Sequence, residues 1–172
     1  MQTPLTLILG GAASGKSAFA EKTVLAQGGT PVYIATAQAW DDEMRAKIQA
    51  HVTARGPHWT TIEAPFDLAE AIEKAGSAPI LIDCLTLWLT NLILAEKDVQ
   101  AETDTLIAAL SDSPAPITMV TNEVGQGIVP DNALSRQFRE AQGRLNIRMA
   151  AQATRVAQVI VGLPNVLKGS FE

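Results

Sequence analysis

The stretch LTLILGGAASGKS, residues 5–17, constrains the fold of this chain more than any other. A short apolar run breaks at two glycines, and the pattern G-x-x-x-x-G-K-[ST] then fills positions 10–17. Glycines at the end of a strand let backbone N–H groups turn inward, where they cradle phosphate oxygens. A helix beginning at Lys16 adds the positive end of its dipole, the Lys16 ammonium can reach β and γ phosphates, and the Ser17 hydroxyl can bind Mg²⁺. A glycine-rich turn of purely structural origin has no use for the lysine and the hydroxyl together. Gly10, Gly11, Ala12, Ala13, Ser14, Gly15, Lys16 and Ser17 are therefore expected to bind nucleotide phosphates as a P-loop.

A strand that feeds a helix in this way calls for a parallel sheet, and the rest of the chain agrees. PVYIAT (31–36), APILID (78–83), ITMVT (117–121) and VAQVIVG (156–162) are apolar runs without clean alternation, as in strands covered on both faces. Helical patterns lie between them at about 16–27, 41–54, 67–75, 85–110 and 132–154, and a further short strand fits TTIEA (60–64). This predicts one doubly wound α/β domain over residues 1–172, with a mostly parallel central sheet and helices on both faces. The acids of DDEM (41–44) suit a first helical turn, Gly28 and Gly76 suit helix ends, and SDSPAP (111–116) reads as the clearest loop.

Composition narrows the partners. With 172 residues, 47% hydrophobic and 18% charged, the chain can bury a substantial core. A net charge of −5 argues against a general polyanion surface, so no nucleic acid is expected and phosphate recognition should be local. The single cysteine, Cys84, allows neither an intramolecular disulfide nor a zinc-ligand spacing, which fits a reducing cytoplasmic location. No basic segment precedes the first apolar run, and LTLWLTNLILA (85–95) falls well short of the roughly 20 residues that span a bilayer, so neither a signal peptide nor a membrane span is expected.

A P-loop calls for a second acid to complete the magnesium shell. Asp83 ends an apolar strand at the carboxyl edge of the sheet, where open α/β folds bind their ligands. It could also cap the helix starting at Leu85, and the two roles are compatible. Cys84 reads as a small core residue, since nothing beside it would lower a thiol pKa. Asn122 and Glu123, between ITMVT and Gly125, fit either a turn or a contact to an acceptor or a magnesium-bound water.

Both histidines lie in KIQAHVTARGPHW, residues 47–59. On a helix over 41–54, Met44, Ile48 and Val52 form a stripe, and His51 shares its face, as a packed histidine would. His51 and His58 lack ligand spacing and a cysteine partner, which speaks against a metal site. Arg55, one turn beyond His51, and Glu63 keep catalysis open, because arginine suits phosphate and neutral imidazole is a competent nucleophile at phosphorus. Spacing alone leaves packing and catalysis both standing.

Several longer stretches go further. GGAASGKS, YIATAQAWDDEMRAKIQAH, the HW and IEAP that follow, DCLTLWLTNL, TNEVGQGIVPDNALSRQFREAQGRLN and the final VGLPNVLK resemble the bifunctional adenosylcobinamide kinase / adenosylcobinamide-phosphate guanylyltransferase family of cobalamin biosynthesis. The resemblance covers essentially the whole chain, in order. It implies a RecA-like P-loop fold and two reactions. First, ATP or GTP phosphorylates adenosylcobinamide. Then a histidine takes GMP from GTP and passes it to adenosylcobinamide phosphate, giving adenosylcobinamide-GDP. The position that matches the guanylylated histidine is His51, not His58. Carried over in the same way, nucleotide contacts fall on Gly10 to Ser17, on Ala35, Thr36 and Ala37, on Val52, Thr53, Ala54 and Arg55, and on Glu63 and Asp83. Mg²⁺ would be held by Ser17 and Asp83, and a homotrimer with sites between subunits is implied.

Three departures accompany the likeness: Ala13 stands where the family commonly has arginine, and Ile147 and Thr154 replace a usual glutamine and acid. Two other readings of the residues remain. One is a P-loop small-molecule kinase in which His51 only packs; the other is a GTP-binding regulator that turns nothing over.

Overall fold

The computed structural model describes residues 3–171. Strand β1 (Leu5–Gly10) leads into α1 (Lys16–Leu25), followed by β2 (Val32–Ala35), α2 (Asp42–Arg55), β3 (Thr60–Glu63), α3 (Leu68–Ala75) and β4 (Ile80–Asp83). Then come α4 (Leu85–Leu94), α5 (Val99–Asp112), β5 (Ile117–Asn122), α6 (Ala133–Gln152), β6 (Arg155–Ile160) and β7 (Leu163–Lys168). The seven strands form one sheet in the order β3-β2-β4-β5-β1-β6-β7. Every pairing is parallel except that of β6 with β7. The mostly parallel α/β arrangement expected from the sequence is the one found.

Alternation along the strands explains why the apolar runs are continuous. Leu7, Ile34, Ile80, Ile82 and Met119 enter a core with Leu68 and Ile72 of α3, Trp88 and Leu89 of α4, Leu106 of α5 and Leu145 of α6. Their neighbours Ile8, Tyr33, Leu81, Val120 and Ala157 point the other way, against Ala20 and Val24 of α1. Both faces are therefore covered, and a side chain of either parity must be apolar. Asn91, almost fully buried in α4, ties the layers together by donating to the carbonyls of Thr36 at 2.8 Å and Pro65 at 2.9 Å.

Two elements differ from the expectation. The helix anticipated over 85–110 is two helices: Glu96 turns left-handed (φ 54), and the Asp98 side chain accepts from the N–H groups of Gln100 and Ala101, starting α5 afresh. That second start carries α5 to Asp112, into the expected loop. The strand anticipated over 156–162 reverses at Val161 (φ 48) and Gly162 (φ 80) into β7, an antiparallel edge strand with all six residues exposed. At other ends the signals hold: Asp41 caps α2 by accepting from Met44 N–H at 2.7 Å, and Gly76 follows α3. Helix α1 ends at Leu25, ahead of Gly28. Among the described residues no helix is long and apolar enough to cross a membrane.

Candidate active site

Residues 10–15 turn between β1 and α1 under tight steric control. Gly15 sits in the left-handed region (φ 91), and a Cβ there would meet Gly162 Cα at 2.9 Å. A Cβ on Gly10 would press on the Val159 carbonyl at 2.8 Å. The Gly162 N–H donates to the Ser14 carbonyl at 2.8 Å, so the β6–β7 turn buttresses the loop from one side. Lys16 Nζ folds back to donate to the Gly11 carbonyl at 3.1 Å, the position from which a phosphate would draw it. Ser17 is exposed, and the buried Ser14 Oγ has no partner within the chain.

Across the carboxyl edge, β4 lies two places from β1, about 10 Å at ordinary strand spacing. Asp83 ends β4, and its Oδ2 accepts the Tyr33 hydroxyl at 2.7 Å. Asp83 does not cap α4; Cys84 occupies that position without a side-chain bond. Burial and then the neighbouring Asp83 charge push the Tyr33 hydroxyl well above its ordinary range, so it stays a neutral donor. The Arg55 guanidinium lies 3.3 Å over the Tyr33 ring, and Trp59 meets the same ring edge-on at 6.0 Å. Arg55 thereby fastens the end of α2 to the edge that presents Asp83.

Glu21 of α1 closes the cluster. Burial raises its carboxyl, Arg55 pulls it down, Asp83 pushes it up, and His51 pulls it down again. Glu21 thus feels charge from α2 as well as from the end of β4. His51 is exposed, and α2 buries none of its residues, so the packed-histidine reading does not hold. Met44, Ile48 and Val52 are only half-buried. Cys84, held high by burial and then by Asp83, is a core thiol and not a nucleophile.

Other expected contacts are placed less favourably. Thr36 is fully buried; its N–H reaches the Asp83 carbonyl, its carbonyl takes Asn91, and its hydroxyl bonds both the N–H and carbonyl of Cys84. It frames the site through these bonds. Ala35 ends β2 beside it, and Ala37 is half-buried just beyond. Glu63 is exposed at the end of β3, four strands from β1 and so about 19 Å from the P-loop strand. Only a bound molecule as long as a nucleotide could touch both. On α2, Thr53 donates to its own helix at Gln49 O, while Val52 and Ala54 flank it. Glu123 accepts the Gly125 N–H at 2.7 Å, a turn role, while its own N–H donates to the Gly10 carbonyl at 3.0 Å.

Tyr33 and Glu21 were not singled out by sequence. Tyr33 carried a signal: a phenol inside a buried strand needs a hydrogen-bond acceptor. Glu21 also did, lying one turn past Ser17 on the P-loop helix. Of the departures, Ala13 is exposed with a left-handed backbone (φ 52) and Ile147 is exposed on α6. Thr154 pins the sheet, its hydroxyl accepting from Leu5 N–H at 3.1 Å and donating to Leu5 O at 3.0 Å.

Comparison with known proteins points to one family. A family model described as cobinamide kinase / cobinamide phosphate guanyltransferase matches residues 6–167. The bifunctional adenosylcobalamin biosynthesis protein CobP of Pseudomonas aeruginosa is 43% identical over 167 residues, covering 95% of this chain and 96% of that one. The corresponding protein CobU of Salmonella typhimurium is 41% identical over 178 residues, with coverage of 92% and 97%. Among solved structures, a Pyrococcus horikoshii protein from a structural study of PH0250 aligns at a TM-score of 0.57 and 8% identity, covering 96% of this chain and 86% of that one; this likeness concerns the fold alone. On the family match and these relatives, the chain belongs to the cobinamide kinase / cobinamide phosphate guanyltransferase family.

Proposed function

We propose that this one domain phosphorylates adenosylcobinamide with ATP or GTP, and then moves GMP from GTP to adenosylcobinamide phosphate through His51. The observation that supports the His51 step is an exposed imidazole one turn before Arg55, whose guanidinium stacks on the Tyr33 ring while the Tyr33 hydroxyl donates to Asp83. These contacts tie the helix that carries His51 to the end of β4.

In the kinase step the acceptor hydroxyl oxygen bonds to the γ-phosphorus as the bond to the β–γ bridging oxygen breaks, and the hydroxyl proton is released to solvent. The P-loop N–H groups and Lys16 hold the charge that builds on the phosphoryl oxygens. In the transfer step a neutral His51 nitrogen attacks the α-phosphorus and pyrophosphate leaves. A phosphate oxygen of the acceptor then displaces the imidazole, which departs readily once its phosphoramidate nitrogen is protonated. Arg55 would balance phosphate charge during both displacements. Val52, Thr53, Ala54, Ala35, Ala37 and Glu63 would line the path of the nucleotide away from the loop.

Mg²⁺ fits the donors present. Ser17 and Asp83 offer hard oxygens, with Tyr33 holding Asp83 Oδ2 and leaving Oδ1 to an outside partner. Mg²⁺ ordinarily keeps several waters and is held by one or two protein oxygens together with substrate phosphates, so these two donors would suffice. When bound, it would neutralise charge on the phosphates. The proposal includes a cytoplasmic enzyme, in keeping with its one buried free thiol, and a homotrimer, which sedimentation would test.

The deciding experiment incubates the protein with GTP labelled at the α or the γ phosphate. Wild type should take up α label in an acid-labile, base-stable bond, and His51→Ala should take up none while still phosphorylating the corrinoid. Lys16→Ala should lower both reactions by about a hundredfold or more. Absence of α label on wild type sinks the transferase reading and leaves a kinase or a regulator. Equal loss of both activities in His51→Ala makes His51 a structural residue.

A further inference from the structure

Strand order puts β5 between β1, which ends in the phosphate loop, and β4, which ends in Asp83. The tip of β5 is Asn122, paired with Gly10, while Asp83 pairs with Val120, two residues earlier in β5. One strand spacing and two residues of rise separate the Asn122 and Asp83 backbones by about 8 Å. Alternation decides which way the tip points. Thr121 turns to α6, where its hydroxyl donates to Asn146 Oδ1 at 2.7 Å and accepts from the fully buried Gln142 at 2.9 Å. Val120 turns to the opposite face with Leu81 of β4, against Ala20 and Val24 of α1. Asn122 shares the parity of Val120, and Asp83 that of Leu81, so both belong to the face that carries α1 and its Lys16.

The backbone of Asn122 is fixed from two helices. Its N–H donates to Thr86 Oγ1 of α4 at 2.8 Å, and its carbonyl accepts from Asn146 Nδ2 of α6 at 3.1 Å. The side chains on either side of it are engaged, Thr121 with α6 and Glu123 with the Gly125 N–H at 2.7 Å. The half-buried Asn122 amide has no hydrogen bond to any of the described residues. An asparagine serving a turn spends its side chain on backbone two residues further on. This one leaves both amide atoms free on a backbone that is held at both of its polar groups, beside the phosphate loop. A donor set in place before its ligand arrives has those properties.

We propose that Asn122 is a catalytic residue of the kinase step, its Nδ2 amide donating to a non-bridging oxygen of the γ-phosphoryl group during transfer. The acceptor oxygen bonds to the γ-phosphorus as the bond to the β–γ bridging oxygen breaks, and the acceptor proton goes to solvent. Asn122 neither gains nor loses a proton. Charge in such a transfer is spread over the equatorial oxygens, so donors are needed from more than one side. The loop N–H groups and Lys16 serve one side, and Asn122 serves the side toward β4. This inference rests on the function proposed above.

Two variants of different chemistry test this. Asn122→Ala should lower kcat for cobinamide phosphorylation by about a hundredfold, the scale of one lost oxyanion donor, with little change in KM for the nucleotide. Asn122→Asp keeps the size of the side chain and exchanges the donor for a carboxylate, so its kcat should fall at least as far. Self-labelling by α-labelled GTP should suffer much less in both, because attack at the α-phosphorus leaves the γ-phosphoryl group intact. Wild-type turnover in Asn122→Ala overturns the contact. Turnover retained in Asn122→Asp overturns the donor assignment, since the side chain would then be accepting from the acceptor hydroxyl or a water. An equal fall in phosphorylation and self-labelling, accompanied by a lower urea midpoint in both variants, also overturns it and makes Asn122 a structural residue. Failure of wild type to phosphorylate cobinamide at all is a different result, and it strikes the proposed function itself.

Discussion

The phosphate loop and helix α2 face the same edge of the sheet, yet they are held in opposite ways. The loop follows β1, a strand paired on both sides, and its Gly10 and Gly15 are pressed by backbone of β6 and of the β6–β7 turn. Helix α2 buries no residue and is fastened at its end by Arg55 on Tyr33. A phosphate grip works when its donors are set before the ligand arrives. Under the proposed function His51 on α2 would approach one phosphorus, become loaded and then meet a second substrate, and such a group is better carried on an element that few contacts restrain. The difference teaches that this one edge combines a rigid anchor with a lightly tethered arm.

Three substitutions would break or sharpen that contrast. Gly15→Ala should have the largest effect, since its Cβ meets Gly162 Cα at 2.9 Å on a left-handed backbone. Urea unfolding should show a loss of about 1–3 kcal/mol, the scale of overpacking a tight site. Arg55→Met should cost less in the same assay, about 0.5–1 kcal/mol for a partly exposed cation over a ring. It should nonetheless slow self-labelling by GTP far more than corrinoid phosphorylation. Equal slowing of both would mean that α2 belongs to the rigid part.

Glu21→Gln should have the smallest effect and a distinctive pH dependence. Burial raises the folded carboxyl above its ordinary 4.5. The folded protein therefore holds this proton more tightly than the unfolded chain, and the stabilisation is complete at low pH and lost as pH rises through the raised value. Removing the charge should leave Tm nearly unchanged near pH 4 and raise it relative to wild type near pH 7. A Tm difference that shrinks as pH rises would show that Arg55 and His51 outweigh burial at this carboxyl.

Much of the fold was legible because parallel strands covered on both faces leave unbroken apolar runs, as in PVYIAT and APILID. The break at residues 95–98 was hidden for the opposite reason: α4 and α5 are both apolar on their inner sides, and the stop depends on Glu96 turning left-handed. Strand β7 was hidden because its six exposed residues lack the pattern of a buried strand. In the candidate site, the P-loop and Asp83 were readable from local order along the chain. The framing role of Thr36 was not readable, because adjacency to Ala35 and Ala37 says nothing about hydrogen bonds made to Cys84, 48 positions away.

The sequence by itself determined the βαβ frame, the phosphate loop and the acid two strands away, since each is written in residues that are neighbours or share a strand. It also determined the family, through stretches such as NEVGQGIVP. Only the tertiary structure decided that Tyr33 holds Asp83, that Arg55 fastens α2 over them and that α6 grips the segment after β5. Those contacts join elements far apart in the chain, and their partners are selected by distance and burial, which no local pattern of residues encodes.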